Sequence, residues 1–494
     1  MATTTAAQGL SPRHDGFHLD PPLYYPPTPQ LRGGALVKTM PSFPFYPPPT
    51  GVRFPHIPEE NAGQLMKVDV STPSPSPSST RKEAVDTAFD LPLSDQVHIL
   101  GFTQQSKFIA HAVAAIPRIP PVRLFVHHPL MLTRWGEEGR HINLLDAEGH
   151  HISSHEVLCP DLVGPLAAGL RLPRCRNKPK KSNYLDNLIV STASWSTVSA
   201  LKHLRHRVDR RTTVCLLHRG LGLMEWLNKM VFTDPTLRPH YVLGHITHKL
   251  SKHAGQSYTL KCKNEGRLFL FGVPEYETSQ HGDVTRSRSG MRQTENFVKL
   301  LSSTDNLGAV GLPWDLFLAR KLPSMVFSAL ADSISVILGC RFDQILNDHH
   351  AMWLWESLLD ETIRIICSFP EFRQRPDILK LFTEESFRKH LWSRLVVRKD
   401  GYSHWISWIR NGHNSGVHFI NGYFAKRAAE LGVNHQQNSM ALNMVKARQK
   451  VRRRELENDI PFGLTPYMMD GDKIGGGQID VDPVLDDLEA SVDL

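Results

Sequence analysis

At 494 residues, with 40% hydrophobic and 21% charged residues, the chain is too long for one small core and reads as roughly two or three folded units plus tails. The net charge of +8 is a mild excess that favours acidic partners in a general way. No uninterrupted apolar run of about 20 residues stands out, which argues against a membrane span, and the six cysteines stand singly without a C-x-x-C pair, as in a reduced intracellular protein.

Residues 1–92 carry PPLYYPPTPQ, FPFYPPPT and STPSPSPSST. Such a stretch buries too little apolar surface to offset the entropy of ordering, and it is expected to be disordered. Asp15 and Asp20 interrupt any Arg-rich, acid-poor import signal early.

From Val97 short apolar runs alternate with helical stretches. VHILG, VRLFVHH (122–128), NLIVST (187–192), TVCLLHRG (213–220) and HYVLGHITH (240–248) read as buried strands, with TVSALKHLRHRV (197–208) and GLMEWLNKMVF (222–232) as helices between them. That alternation predicts a parallel sheet with helices on both faces over 93–278. A polar break, YETSQHGDVTRSRSGMRQTE, predicts a linker at 279–300. Over 301–452 the apolar spacing becomes three and four, in 315–339, 349–369 and 419–433, which predicts an all-α unit. KARQKVRRREL (446–456) is basic, and 453–494 is expected to be a charged, mostly acidic tail. The expected fold class is therefore an α/β Rossmann-like N-terminal domain followed by an all-α C-terminal domain, with disordered termini.

In VHILGFTQQSKFIAHAVA (97–114) an apolar strand runs into a helix, the place where a dinucleotide site sets G-x-G-x-x-G so that backbone amides approach a pyrophosphate. Gly101 holds the first position; Thr103 and Ser106 hold the other two.

Several stretches, in order, resemble the ketopantoate reductases (2-dehydropantoate 2-reductases), particularly the fungal members. VHILGFTQQSKFIAHAVA is similar to the family's first strand, turn and helix, and PVRLFVHHPLMLTRWGEEGRHINL (121–144) to its second strand and following turn. LLHRGLGLMEWLN (216–228) resembles its Q-N-G-x-G segment. RKLPSMVFSALADSISVILGCRFDQIL resembles its K-L-x-x-N-x-x-x-N helix, and FINGYFAKRAAELGV resembles its Y-I-N-G-Y helix most specifically. The resemblance covers roughly 95–450.

It implies an oxidoreductase that delivers hydride from NADPH to a keto group, without a metal, and a nascent alkoxide that needs a positioned acid. The implied proton donor is Lys321. A substrate-holding serine falls on Ser403, beside His404. The two implied asparagines fall on Met325 and Ala329, the asparagine of the Q-N-G-x-G segment on Arg219, and the glutamate on Gly416. On the cofactor side the positions are Gly101, Thr103, Ser106 and His128, with Arg134 as a substitute for the arginine suited to a 2′-phosphate; a lysine position falls on Ala193. Amide and carboxylate groups are thus replaced by side chains that cannot do the same work. Pro323 is expected to disturb its helix unless it sits in the first turn.

The expected function is a noncatalytic or diverged derivative of this family, a pseudoenzyme acting as an interaction protein in the mitochondrion, possible in mitochondrial gene expression because a fungal translational activator of cytochrome b is similar to the same family. The alternative is an active NADPH-dependent 2-dehydropantoate reductase with NADP as cofactor. A protein or RNA partner is expected at two basic patches, RCRNKPKK (174–181) and KHLRHRVDRR (202–211), although neither is interleaved with base-stacking aromatics. Mitochondrial placement is favoured over cytoplasmic. In GHHISSH (149–155), His151 and His155 have a metal-like separation, but only Glu156 is near to complete a set and no metal is expected. His349 and His350 are expected at a helix cap, and the Trp and Met of AMWLWESLL in the core. A serine hydrolase is excluded by the lack of a G-x-S-x-G turn.

Overall fold

Strands that read as continuous apolar runs assemble where such runs must, in the middle of a sheet covered on both faces. The computed structural model describes residues 93–163, 184–278, 284–286 and 288–458. The expected disordered region 1–92, the basic patch at 174–181 and the acidic stretch beyond 458 lie outside the described residues.

The strands are β1 (Val97–Leu100), β2 (Arg123–Val126), β3 (His141–Leu145), β4 (His151–Glu156), β5 (Leu158–Leu162), β6 (Asn187–Val190), β7 (Thr213–Leu216), β8 (His240–Ile246), β9 (Leu250–His253), β10 (Gln256–Cys262), β11 (Leu268–Gly272), β12 (Tyr276–Thr278), β13 (Val284–Arg286) and β14 (Ala309–Gly311). Eight of them form one sheet in the order β14-β11-β8-β7-β6-β1-β2-β5, all parallel except for the antiparallel β8–β11 pair. The chain leaves β1 toward β2 and later returns to β6 on the other side, so β1 and β6 flank the topological switch point.

Helices α1 (Gln104–Ala114), α2 (Leu130–Glu137), α3 (Ser194–Leu204) and α4 (Leu223–Met230) follow strands of this sheet, and α5 (Arg288–Ser302) lies farther on. Phe108, Ile109, Tyr258 and Phe297 share one core cluster; Leu188, Val198, Leu201 and Trp226 share another. The helical half contains α6 (Trp314–Phe327), α7 (Ser333–Leu338), α8 (Phe342–Asn347), α9 (His349–Cys367), α10 (Pro376–Thr383), α11 (Glu385–Val397), α12 (His404–Arg410), α13 (Asn421–Glu430) and α14 (Gln436–Asn458). The fold is thus the mixed α/β Rossmann-like unit with a helical C-terminal region that the patterning predicts.

Four features differ from the sequence reading. A second sheet, β4-β3-β10-β9, packs beside α1; it is made of two hairpins inserted after α2 and after β8. The predicted linker at 279–300 contains most of α5, whose Phe297 is fully buried, because its apolar residues recur at helical spacing inside a polar composition. The boundary at 452 falls inside α14, which continues to Asn458. Pro323 sits well inside α6, not in its first turn, and the helix continues through a π-helical segment at Ser328–Asp332 into α7. That composite helix, Trp314–Leu338, is long and apolar enough to cross a membrane, yet 78% of its most apolar stretch is buried in the protein. It is a core helix by packing.

The metal-like spacing of His151 and His155 also resolves as strand. On β4 four residues span about 13 Å, too far for one ion. His151 Nε2 pairs with Ser154 Oγ at 2.7 Å, and the His155 ring packs edge-on against His111 at 4.6 Å. His349 opens α9 behind the Asp348 cap, whose side chain accepts from the Ala351 amide, and Trp355 is buried while Trp353 is 64% exposed.

Two buried histidines make the fold acid-sensitive. Burial, followed by the nearby charges of Arg207 and Arg123, pushes His98 down to about 4, and burial with His155 pushes His111 down to about 4. Both are neutral when folded and take up protons when unfolded near 6.5, so their contribution is present above that pH and is lost as pH falls toward 4. Urea unfolding is expected to show stability dropping by a few kcal/mol over that window, and His98→Phe with His111→Phe to flatten the drop.

Candidate functional site

The crevice beyond the C-terminal ends of parallel strands, at the switch point, is where such sheets take ligands. Here Gly101 follows β1 at φ +113, and a Cβ on it would lie 2.8 Å from the Ser191 carbonyl oxygen that follows β6. The glycine is required by close backbone approach. Thr103 then caps α1. Its Oγ1 accepts from the Ser106 amide at 3.1 Å, while Ser106 Oγ accepts from the Thr103 amide at 3.3 Å, a reciprocal capping box. Thr103 Oγ1 also meets Ser191 Oγ at 2.8 Å, so a hydroxyl pair bridges the switch point itself.

The remaining cofactor-side positions have local roles. His128 Nδ1 accepts from the Leu130 amide at 3.2 Å at the start of α2. Arg134 donates to Ser257 Oγ at 2.7 Å, tying α2 to β10 instead of standing free at the glycine turn. Ala193 caps α3 without a side-chain bond, and its carbonyl accepts from Thr197 Oγ1 at 2.8 Å.

On the helical side Lys321 is 2% exposed. Its Nζ donates to the carbonyl oxygens of His218 at 2.6 Å and Gly244 at 3.4 Å, so α6 is fastened to the turn after β7 and to β8 itself. Burial draws the ammonium down to about 7. Met325 and Ala329, one and two turns on, are fully buried in the helical core. Ser403, expected as a substrate contact, is 1% exposed and caps α12, accepting from the Trp405 amide at 3.2 Å. Its neighbour His404 reaches across: Arg219 Nη1 donates to His404 Nδ1 at 3.3 Å. A side chain added at Gly416 would meet the Trp405 ring at 3.5 Å and Ser194 Oγ at 3.6 Å. Beside it Trp195 stacks on His413, centroids 3.8 Å apart and planes nearly parallel.

Glycines in the β7–α4 turn explain its shape. A Cβ on Gly220 would fall 2.0 Å from the Phe419 carbonyl oxygen, and Leu221 N–H donates to that same oxygen at 2.9 Å. The turn therefore lies directly against the segment before α13. There Asn421, fully buried, donates through Nδ2 to the Ala329 carbonyl at 3.1 Å and to Asn438 Oδ1 at 3.3 Å. The lysine position, the glycine turn and the I-N-G-Y segment, distant in sequence, meet at one place.

That meeting of elements agrees with two family models, Ketopantoate reductase PanE/ApbA over residues 97–268 and Ketopantoate reductase PanE/ApbA C terminal over 317–449. The chain belongs to the ketopantoate reductase family. A 2-dehydropantoate 2-reductase of Saccharomyces cerevisiae is 28% identical over 283 residues, 56% of this chain and 69% of that protein. Among solved structures, a ketopantoate reductase from Ralstonia eutropha JMP134 is 12% identical with a TM-score of 0.49, covering 72% of this chain and 99% of that one. A D-mandelate dehydrogenase solved with NADH and anilino(oxo)acetate has the same identity, score and coverage.

Within this ketopantoate reductase framework the residues that sequence reasoning missed are Arg394 of α11, Arg398 at its C-terminal cap, Asp332 and His245. Arg394 and Arg398 stand four apart in RLVVR and share a helix face, a spacing visible in the sequence. Their proximity to Arg219 is not visible there. Elsewhere, Asp146, Glu148 and His150 offer ligand atoms within 4.8 Å of one another on a surface turn, where the Asp146 carboxylate already bonds the His150 ring.

The cavity lined by Lys321, His218, Gly220, Glu371, Tyr423 and Arg427 measures about 230 Å³. It lies below the usual range of small-molecule sites, about 300–1,000 Å³, and neither Gly101 nor Thr103 lines it.

Lys321 gives a direct test of this packing. Its folded value near 7 lies below the unfolded 10.5, so the burial penalty is full below pH 7 and is relieved as pH rises toward 10.5. The melting-temperature difference, Lys321→Met minus wild type, is expected to be more positive at pH 6 than at pH 10, read by thermal unfolding at both.

Proposed function

We propose that this chain is a noncatalytic derivative of the ketopantoate reductases that uses the inherited fold as an interaction protein. The observation that carries the reading is the hydroxyl bridge at the switch point. Thr103 puts a side chain where a pyrophosphate needs bare backbone, the amides of Thr103 and Ser106 are already satisfied by each other's hydroxyls, and Thr103 is held against Ser191. The residues present do not fit a conventional dinucleotide turn. The substrate side supports the same reading, since apolar Met325 and Ala329 stand in the core and Gly416 supplies no carboxylate.

We further propose a mitochondrial setting and an acidic or RNA partner. Support for the partner comes from the surface at the end of α3 and just beyond it, where Lys202, Arg205, His206 and Arg210 are exposed.

One observation favours a second reading, NADPH-dependent reduction of 2-dehydropantoate or a related keto acid. A lysine drawn down to about 7 is matched to donating a proton at neutral pH.

Titration of the full chain with NADPH, followed by nucleotide fluorescence, separates the two. The noncatalytic reading expects no submillimolar binding and no ketopantoate-dependent oxidation of NADPH. Turnover that disappears in Lys321→Ala would establish the reductase reading in its place. Co-purification with mitochondrial ribosomes is the expected result for the proposed setting, and recovery in the cytosolic fraction alone would count against it.

A further inference from the structure

Arg375, Arg388 and Arg427 each lie within ion-pair distance of Asp or Glu. Arg219, Arg394 and Arg398 do not. None of the three has a carboxylate within 4.0 Å among the described residues, although they come from opposite halves of the fold: Arg219 from the β7–α4 turn, Arg394 from the last turn of α11 and Arg398 from the residue that ends it. Arg394 and Arg398 both sit over the Phe327 ring, their guanidinium carbons 4.4 and 5.2 Å from its centroid.

The three charges are close enough to oppose one another. Burial draws Arg394 down to about 10, with Arg398 and Arg219 adding to the effect, and Arg398 is lowered by burial and by Arg219. A single carboxylate, Asp332, 4% exposed, acts against them. Asp332 acts on Arg394 and Arg398; counted with Arg219, three guanidinium groups and one carboxylate leave a surplus of two positive charges.

His404 completes the group. Arg219 can only donate, so His404 Nδ1 accepts and Nε2 carries the hydrogen; that Nε2 is buried and has no partner. Arg219 and Arg398 are exposed and Arg394 is half-buried, so the cluster is open to solvent.

We infer that Arg219, Arg394, Arg398 and His404 form a binding site for the phosphate group of a small phosphomonoester. The planar guanidinium forks match tetrahedral phosphate oxygens. A dianion balances the surplus of two, whereas a monocarboxylate leaves one charge uncompensated. The inference is independent of the noncatalytic reading, because phosphate binding is measured without NADPH.

Calorimetric titration of the full chain with inorganic phosphate, and with acetate at matched ionic strength, tests it. Saturable phosphate binding is expected, with acetate at least tenfold weaker. Arg394→Gln combined with Arg398→Gln is expected to weaken phosphate at least tenfold, while Arg388→Gln, on the same helix but ion-paired, leaves it unchanged. Should the double variant fail to fold, Arg219→Gln on the exposed turn is expected to give the same loss. Absence of saturable phosphate binding, equal affinity for acetate, or undiminished binding in the cluster variants would overturn the site. So would binding of a short RNA, whose phosphodiesters are monoanionic, without binding of inorganic phosphate.

Discussion

The turn at His218–Leu221 has to satisfy three partners at once, and the joining of the two halves depends on it. Its first carbonyl accepts the buried Lys321 ammonium, its glycine admits the Phe419 carbonyl, and its arginine bonds His404. Each contact fixes a different helical element against the sheet. A Cβ at Gly220 would collide with backbone, which cannot rotate aside, so the glycine is a requirement of the junction and not merely of the turn.

Placing a lysine there has a consequence for its chemistry. With its ammonium bonded to two main-chain oxygens and almost no solvent, Lys321 is a fastening group held near neutrality. Its neighbours Met325 and Ala329 along α6 are core residues, while Lys321 itself also lines the small cavity shared with Glu371, Tyr423 and Arg427. Arg219 and His404 bond each other at the same junction.

The glycine turn follows a similar logic. The first backbone amides of α1 need acceptors, and Thr103 and Ser106 supply them from within the turn. The turn is self-consistent: its own hydroxyls accept from the Thr103 and Ser106 amides. The α1 terminus therefore remains capped without a ligand.

The sequence by itself determined the central strands, because buried parallel strands must be apolar at every position, and it determined the family, because short motifs survived in order. It also located Gly101, Lys321 and Arg219. It did not reveal the second sheet, whose strands are half-polar and whose pairing joins β3 to β10 across more than a hundred residues, a contact no local pattern encodes. Nor did it reveal α5 inside a polar stretch. Whether Ser403 caps a helix or meets a ligand, whether Arg134 stands free or holds Ser257, and whether three arginines from distant segments share one field were decided by tertiary packing alone. Residue type sets what a side chain can do; the neighbours brought to it by folding set which of those things it does.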